Sequence, residues 1–396
     1  MTHHERIPVR ISDHELARRW AALRLAMKAR DIDVLIVQAT NDWLGGNVKW
    51  LTDIPANNGY SRTVLFYADD LMTVIEMGVF AGRRSLKGED PVHRGVGTIL
   101  TTPSFPSVDY TVRYDAELAI ADLRARGARR VALGNGSGFL AGFSEVLRAG
   151  LANIDIVDLT EDLDALKAVK SPEEQALIRR AAALQDDVFA HVCSLIRPGL
   201  RDIDITSAAQ MKAQQFGSEQ GIFLGASARV GIRSPFMGRH FQGRTLAAGD
   251  HLSLLIEVNG PGGFFCEIAR TLVLGKASTE LRDGFSAVKA AQDHTLSLLR
   301  PGATARAIAA AHDAYMIAHG LPPEIRLYAH SQGYDMVERP LIRRDETMTI
   351  AGGMHFAVHP GYETDSIFAV ICDNYIVGED GPGACLHKTE KKIFEV

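Results

Sequence analysis

Two glutamates lie inside apolar runs on either side of a glycine-rich turn. Glu257 follows a Leu-Leu-Ile run and Glu267 follows Phe-Phe-Cys, with Gly260-Pro261-Gly262-Gly263 between them. Strand carboxylates in such apolar surroundings are unfavourable to bury unless they are paired. The segment therefore predicts either an internal ion pair, with Arg270 or another arginine, or a functional site.

Composition excludes several classes of protein. A chain of 396 residues, 46% of them hydrophobic, can bury a large core and favours two or three domains. The net charge of -5, without a basic block, argues against a nucleic-acid partner. No apolar run approaches the roughly 18 residues of a membrane span, and no apolar signal segment opens the chain, so we expect a cytoplasmic protein. The four cysteines are scattered without a CxxC pair, which argues against a disulfide framework.

The first 160 or so residues alternate between helical and strand patterns. This alternation is typical of an α/β domain. The predicted helices are 13–30 and 115–126, and the predicted strands are 34–37, 63–66, 72–76 and 130–133.

A new helix is predicted after Lys170. Ser171 is a suitable N-cap, Pro172 suits the first helical position, and Glu174 completes a capping box. We therefore predict two domains, 1–164 and 165–396. Within the second, Arg-Pro-Gly occurs at 197–199 and again at 300–302, each time between two helices, which indicates a duplicated αβ unit.

From about residue 165 to 390 the motif order resembles that of the pita-bread hydrolases, the family of methionine aminopeptidase, aminopeptidase P, prolidase and creatinase. The Glu-Ile-Ala-Arg-Thr sequence at 267–271 stands where prolidase-like members have Asp-Ile-Thr-Arg-Thr. The resemblance implies a mixed α/β (α+β) fold, in which an N-terminal creatinase-like α/β domain precedes a pita-bread catalytic domain.

The same resemblance matches five positions to the metal ligands of the family. Glu257 and Glu267 occupy the places of the two aspartates, and His330 that of the ligand histidine. His359 and Cys372 occupy the places of two glutamates. Only His330 keeps the residue type that is usual in the family.

Further positions are implied to contact the substrate. His240 lies 17 residues before the first of these carboxylates, where family members have a substrate-contacting histidine. The second substrate histidine is replaced by Val337. In family dimers the N-terminal domain lends residues to the partner's site, so we expect a homodimer in which Tyr60 or Arg62 binds the substrate, and Arg339 is a similar candidate.

Charge argues against the usual pair of metal ions. Two cations and a bridging hydroxide need several carboxylates, and this set offers two where prolidase-like members have four. We expect a centre without metal, in which Glu257 or Glu267 acts as general base and His330 or His240 as acid. The alternative is a single zinc, manganese or iron ion held by Glu267, His330 and His359, with Glu257 or Cys372 added.

The sequence therefore predicts a creatinase-like hydrolase of an amide, amidine or peptide-like C–N bond in a small polar molecule. Glu257, Glu267, His330, His359 and His240 are the expected catalytic residues. Alternatives are a metal-dependent Xaa-Pro aminopeptidase or dipeptidase, a ligand-binding pseudoenzyme without catalysis, and a lyase of the same fold, whose metal-rich pattern matches poorly.

Overall fold

The computed structural model describes residues 9–396, which form two compact units, Arg10–Lys167 and Ala168–Val396. The helices are α1 (Asp13–Ala29), α2 (Gly46–Thr52), α3 (Arg113–Ala125), α4 (Ala141–Gly150), α5 (Thr160–Ala168), α6 (Pro172–Leu195), α7 (Asp202–Gln215), α8 (Thr279–Leu298) and α9 (Ala305–Ala318). The strands are β1 (Val34–Ala39), β2 (Arg62–Tyr67), β3 (Met72–Met77), β4 (Gly82–Ser85), β5 (Val96–Thr102), β6 (Arg130–Leu133), β7 (Asp155–Asp158), β8 (Gly221–Leu224), β9 (His251–Asn259), β10 (Phe265–Val273), β11 (Ala329–Ser331), β12 (Glu338–Leu341), β13 (His355–Val358), β14 (Gly361–Glu363), β15 (Phe368–Val370), β16 (Asp373–Ile376) and β17 (Phe394–Glu395). Within residues 9–396, no helix is both long enough and apolar enough to cross a membrane.

The first unit is built on a seven-stranded mixed sheet. Its strand order is β4-β5-β3-β2-β1-β6-β7, with parallel pairing at β3–β5, β1–β6 and β6–β7. Every residue of β1 and β2 is buried, which explains the apolar runs Val34–Val37 and Val64–Tyr67. The α/β prediction and its helix and strand positions are confirmed. The domain boundary at 164/165 stays a prediction.

One buried carboxyl group in this unit carries a pH prediction. Asp115 lies in the first turn of α3, where it accepts a hydrogen bond from the Ser61 hydroxyl. Burial raises the pKa of Asp115 to about 6. The folded chain therefore holds this proton more tightly than the unfolded chain, and the free energy of unfolding falls as the pH rises from about 4 to 6.

We expect Asp115→Asn to raise the free energy of unfolding at pH 8 by about 1–3 kcal/mol, because it removes the buried charge. At pH 4 the gain should disappear, since Asp115 is then protonated in the folded protein. Urea unfolding at both pH values measures this difference. A gain of equal size at pH 4 and pH 8 would contradict the assigned cause.

The second unit begins at the predicted helix start. The Ser171 hydroxyl accepts from the backbone N–H of Glu174, and the Glu174 carboxylate accepts from the backbone N–H of Ser171 at 2.6 Å. Pro172 occupies the first turn of α6. The predicted capping box is confirmed, and the helix then packs its apolar face against β9 and β10.

Two four-stranded sheets form the second unit, in the orders β17-β10-β9-β8 and β12-β11-β13-β16. Helices α6 and α7 pack on the first sheet, and α8 and α9 on the second. The two Arg-Pro-Gly turns are equivalent in the two halves. Gly199 and Gly302 both have positive φ, at +92° and +86°, and both N–H groups donate to a backbone carbonyl of the following segment. The sheets meet where Ala269 and Cys372 exchange two backbone hydrogen bonds of 3.3 Å.

Candidate active site

Glu257 and Glu267 face each other across neighbouring strands. In the antiparallel register of β9 and β10 they are direct partners, and they are 6% and 5% exposed. Directly opposed side chains on one sheet face have Cβ atoms about 5 Å apart, so two like charges there repel. An arrangement of this kind is unfavourable unless a proton, a donor or a cation relieves it.

The predicted ion pair with Arg270 is wrong. Side chains alternate along a strand, so Arg270 points to the opposite face of β10 from Glu267. There its guanidinium binds the Asp373 carboxylate at 2.6 Å, with both side chains fully buried. Arg270 therefore pairs with neither site glutamate, which favours the functional interpretation of the segment. Arg326 still acts on Glu267 through its charge, which lowers the pKa of this carboxyl group.

Two histidines from the second sheet approach Glu267. His330 lies on β11, and His359 directly follows β13. Their Nε2 atoms are 3.7 and 3.9 Å from Glu267 Oε2. The two rings meet edge to face, with centroids 5.1 Å apart. Two imidazole nitrogens and one carboxylate oxygen therefore converge, and the three ligand atoms all lie within 4.8 Å of one another.

Burial decides the protonation of this centre. It raises the pKa of Glu267 to about 7, and burial together with the facing carboxylate raises the pKa of Glu257 well above its usual range. Burial lowers the pKa of both His330 and His359. The apolar surroundings thus favour neutral imidazoles and at least one protonated carboxyl group when no cation is bound.

The hydrogen bonds of the imidazoles leave lone pairs directed at Glu267. His330 Nδ1 lies 2.9 Å from the Ser331 carbonyl, to which only a protonated Nδ1 can donate. Its Nε2 then carries the lone pair in the neutral ring. His359 Nε2 is shielded from solvent and has no hydrogen-bond partner among the described residues. Two imidazole nitrogens beside a carboxylate, one with a lone pair and one without a hydrogen-bond partner, are the donor types that a divalent transition metal prefers.

Gln332 and Asn374 belong to the site and were missed from the sequence. Gln332 Nε2 donates to Glu257 Oε1 at 2.7 Å, and Asn374 Oδ1 accepts from the backbone N–H of Glu267 at 2.7 Å. Each lies two residues after a position matched to a family ligand, His330 or Cys372, and this spacing could have indicated them. Buried amides two residues from predicted ligands are candidates to contact them.

Cys372 contacts Glu267 but is not one of the three converging ligand residues. Its thiol donates to the Glu267 backbone carbonyl at 3.4 Å, and burial with nearby carboxylates raises its pKa well above the usual range. A thiol that stays protonated is a poor metal ligand. Neither Cys372 nor Glu257 joins the group formed by Glu267, His330 and His359 within the described part of the chain.

The structure does not bring His240 to this centre. It lies in a single-turn helix, Arg239–Phe241, with an exposed side chain whose ring contacts Phe241 at 4.3 Å. Within residues 9–396 it has no hydrogen bond or ion pair to the two glutamates or two histidines described above. Its proposed contact with a reaction intermediate stays a prediction.

The three predicted substrate-binding residues already have protein partners. Arg62, in the first unit, is buried and pairs with Glu76 at 2.9 Å. Tyr60 is 40% exposed and contacts Phe105 edge to face. Arg339, in the second unit, pairs with a glutamate at 2.7 Å. Arg62 and Arg339 would have to exchange or share these partners to bind a substrate carboxylate, so the predicted role stays open.

Comparisons with known proteins address the fold and the family. The model of metallopeptidase family M24 matches residues 176–379, slightly more than half of the chain. An uncharacterized hydrolase/peptidase, y4tL of Sinorhizobium fredii, is 26% identical over 93% of both chains. The probable dipeptidase PepE of Mycobacterium tuberculosis is 28% identical over 56% of this chain and 59% of its own length. The X-Pro aminopeptidase of Thermotoga maritima aligns with a TM-score of 0.78 at 14% identity, covering 95% of this chain and 99% of that one. The predicted pita-bread fold is confirmed.

Proposed function

The chain belongs to metallopeptidase family M24, and from this membership we propose that it cleaves a small peptide-like molecule at the centre formed by Glu257, Glu267, His330 and His359. Membership makes the protein a hydrolase acting on C–N bonds. The convergence of His330 and His359 on Glu267 is the observation that carries the assignment of the site. That the substrate is peptide-like and that a metal ion is required are both proposed.

The residues do not fit a pair of metal ions. A dinuclear site needs carboxylates that bridge both cations, and this centre has only Glu257 and Glu267. One oxygen of Glu257 already accepts from the Gln332 amide. The Cys372 thiol is turned to a backbone carbonyl. We derive no step through a second cation.

The residues do fit a single cation. Glu267, His330 and His359 would be its ligands, and the unpartnered His359 Nε2 is the observation that favours it over the metal-free centre expected from the sequence. Two histidines and one carboxylate form known mononuclear sites for zinc and iron, and manganese is a further candidate. A bound cation would supply Lewis-acid polarisation of the scissile carbonyl and a lowered pKa for a water molecule.

Glu257 is placed to move the proton. It faces Glu267 across the strand pair, and burial together with the Glu267 charge raises its pKa well above the usual range, which makes it a stronger base than an ordinary carboxylate. As a carboxylate it takes a proton from the attacking water as the C–O bond forms. It then returns this proton to the leaving nitrogen as the C–N bond breaks. Gln332 holds the glutamate through one oxygen during both transfers.

A metal-free centre is the second candidate, and one observation favours it. The opposed, buried pair of Glu257 and Glu267 forms an acid and a base without any cation, because the first proton taken up by the pair is held more tightly than that of an isolated carboxyl group. In this case His330, whose Nε2 carries a lone pair, orients the substrate. That the protein forms a homodimer stays a prediction, and so does the alternative that it binds a ligand without catalysis.

Metal content and chelation separate these candidates. We expect wild-type protein to bind no more than one zinc, manganese or iron ion per chain, and dialysis against a chelator to lower hydrolysis of an Xaa-Pro dipeptide or related dipeptide at least about tenfold. His359→Ala should weaken binding of the ion by at least about 100-fold, because it removes a ligand and not merely a hydrogen-bond partner of one. Elemental analysis and equilibrium dialysis measure both effects.

Two ions per chain in the active protein would contradict the single-cation proposal. Full activity with no ion bound would instead establish the metal-free candidate. His319→Ala is a suitable control for the histidine substitution, because His319 is exposed at the end of α9 and contacts Tyr315. This variant should bind the cation as the wild type does.

A further inference from the structure

Gln332 links the carboxylate pair to the second sheet through a chain of amides. Its side chain is fully buried, and its Nε2 donates to Glu257 Oε1 at 2.7 Å and to the Met336 carbonyl at 3.0 Å. Its Oε1 accepts from Asn374 Nδ2 at 3.1 Å. Asn374 Oδ1 in turn accepts from the backbone N–H of Glu267 at 2.7 Å. Both site glutamates are therefore hydrogen-bonded to the same pair of linked amides, Gln332 and Asn374.

The direction of this chain is fixed by its end groups. The backbone N–H of Glu267 can only donate, so Asn374 must present its oxygen there and its nitrogen to Gln332. Gln332 must then present its oxygen to Asn374 and its nitrogen to Glu257. A flipped Gln332 would place an oxygen against Glu257 and against the Met336 carbonyl, which are both acceptors. The N–H that faces Glu257 is thus determined by the network.

The backbone of Gln332 is held equally firmly. Its N–H donates to the His355 carbonyl at 3.1 Å, and its carbonyl lies 2.7 Å from His355 Nδ1. The loop that follows is fixed by Glu338, whose carboxylate accepts from the backbone N–H groups of Tyr334 and Asp335 and pairs with Lys170 at 2.7 Å. The amide therefore has little freedom to leave Glu257 when a cation approaches.

An N–H group at this position has the electrostatic role of a cation without being one. It places the positive end of a dipole against Glu257 Oε1, one of the two oxygens through which this carboxylate could bind a second metal ion. A cation bound to that oxygen would also lie beside the same N–H and be repelled by it. We propose that Gln332 is a positioning residue that substitutes for a second cation at Glu257, orients this glutamate for proton transfer, and excludes a second metal ion from the carboxylate pair.

This inference rests on the proposed function for its catalytic part, but its effect on metal binding is measured separately. The experiment compares wild-type protein with Gln332→Ala and Gln332→Glu. The first variant removes the donor and leaves space, and the second keeps the shape but adds a carboxylate beside Glu257. Cobalt(II) alone is the probe, in equilibrium dialysis with elemental analysis, and circular dichroism checks that each variant is folded.

Both variants should bind one more cobalt ion per chain than the wild type, whatever number the wild type binds. The additional ion should bind more tightly in Gln332→Glu than in Gln332→Ala. The matched control is Gln242→Glu. Gln242 is almost equally buried, and its amide donates to the carbonyls of Phe223 and Met237. Its oxygen accepts from the Thr206 hydroxyl, and Gln242 is in neither group of ligand-type side chains in the described part of the chain. This control should gain no ion.

Equal cobalt stoichiometry in the wild type and both Gln332 variants would overturn the inference, as would the same gain in Gln242→Glu. On a dipeptide that the wild type hydrolyses, Gln332→Ala should lower kcat about 10- to 100-fold and change KM less than threefold, because the side chain orients a proton-transfer group. If the wild type hydrolyses no C–N substrate, the proposed function fails, while the difference in cobalt binding still decides the inference.

Discussion

Glu267→Gln is expected to lower kcat/KM at least about 1,000-fold without unfolding the protein. The substitution keeps the shape of the side chain but removes the charge that faces His330 and His359. With a cation bound, it removes the carboxylate ligand. In the metal-free candidate, it removes one partner of the acid–base pair. Steady-state kinetics on the dipeptide that the wild type hydrolyses best measures the loss.

A matched control separates this effect from the general consequence of altering a buried glutamate. Glu15 is also almost fully buried, and its carboxylate pairs with Arg19 at 2.9 Å in the first unit. Glu15→Gln should lower the free energy of unfolding but change kcat/KM less than about threefold. If Glu267→Gln is equally harmless to kcat/KM, the proposed active site is wrong.

Asp373→Ala is expected to lower the free energy of unfolding by about 3–5 kcal/mol, because it leaves the Arg270 guanidinium buried without its carboxylate partner. Asp373 also accepts from Gln292 at 3.2 Å. The nearby Arg270 and His387 hold the pKa of Asp373 at about 2 against the opposing effect of burial. The stabilisation is therefore complete above the unfolded pKa of about 4 and is lost as the pH falls toward 2.

Urea unfolding at pH 7 tests this prediction. The control is Glu117→Ala, which breaks an exposed pair with Arg113 at 2.9 Å and should change the free energy of unfolding by less than about 1 kcal/mol. Asp373 occurs with Cys385 and His387 in a second cluster of ligand-type side chains. A loss no larger than that of Glu117→Ala would show that Arg270 finds another partner, and the assigned structural role would then be wrong.

The local features of the fold were accessible from the sequence because their causes are local. The start of α6 follows from Ser171, Pro172 and Glu174, which lie within four residues. The apolar run Val34–Val37 predicts that β1 is buried on both faces. The catalytic histidine candidates were found differently, by matching His330 and His359 to an ordered family pattern.

The site residues that the sequence did not predict depend on contacts between segments far apart in the chain. Gln332 meets Glu257 across 75 residues of sequence, and Asn374 meets Glu267 across 107. No pattern near either amide indicates which strand it will face. The partner predicted for Arg270 was wrong for the same reason. Strand alternation fixes the face on which Arg270 lies, but only the tertiary fold brings Asp373 to that face.

The arrangement of the two sheets also has a consequence for biosynthesis. The carboxylates come from β9 and β10, whereas the histidines and the orienting amides come from the segment between β11 and β16. A nascent chain that has emerged only as far as β10 therefore contains both glutamates and none of the groups that convert them into a hydrolytic centre. The proposed centre is therefore complete only when the chain has been synthesised through Asn374.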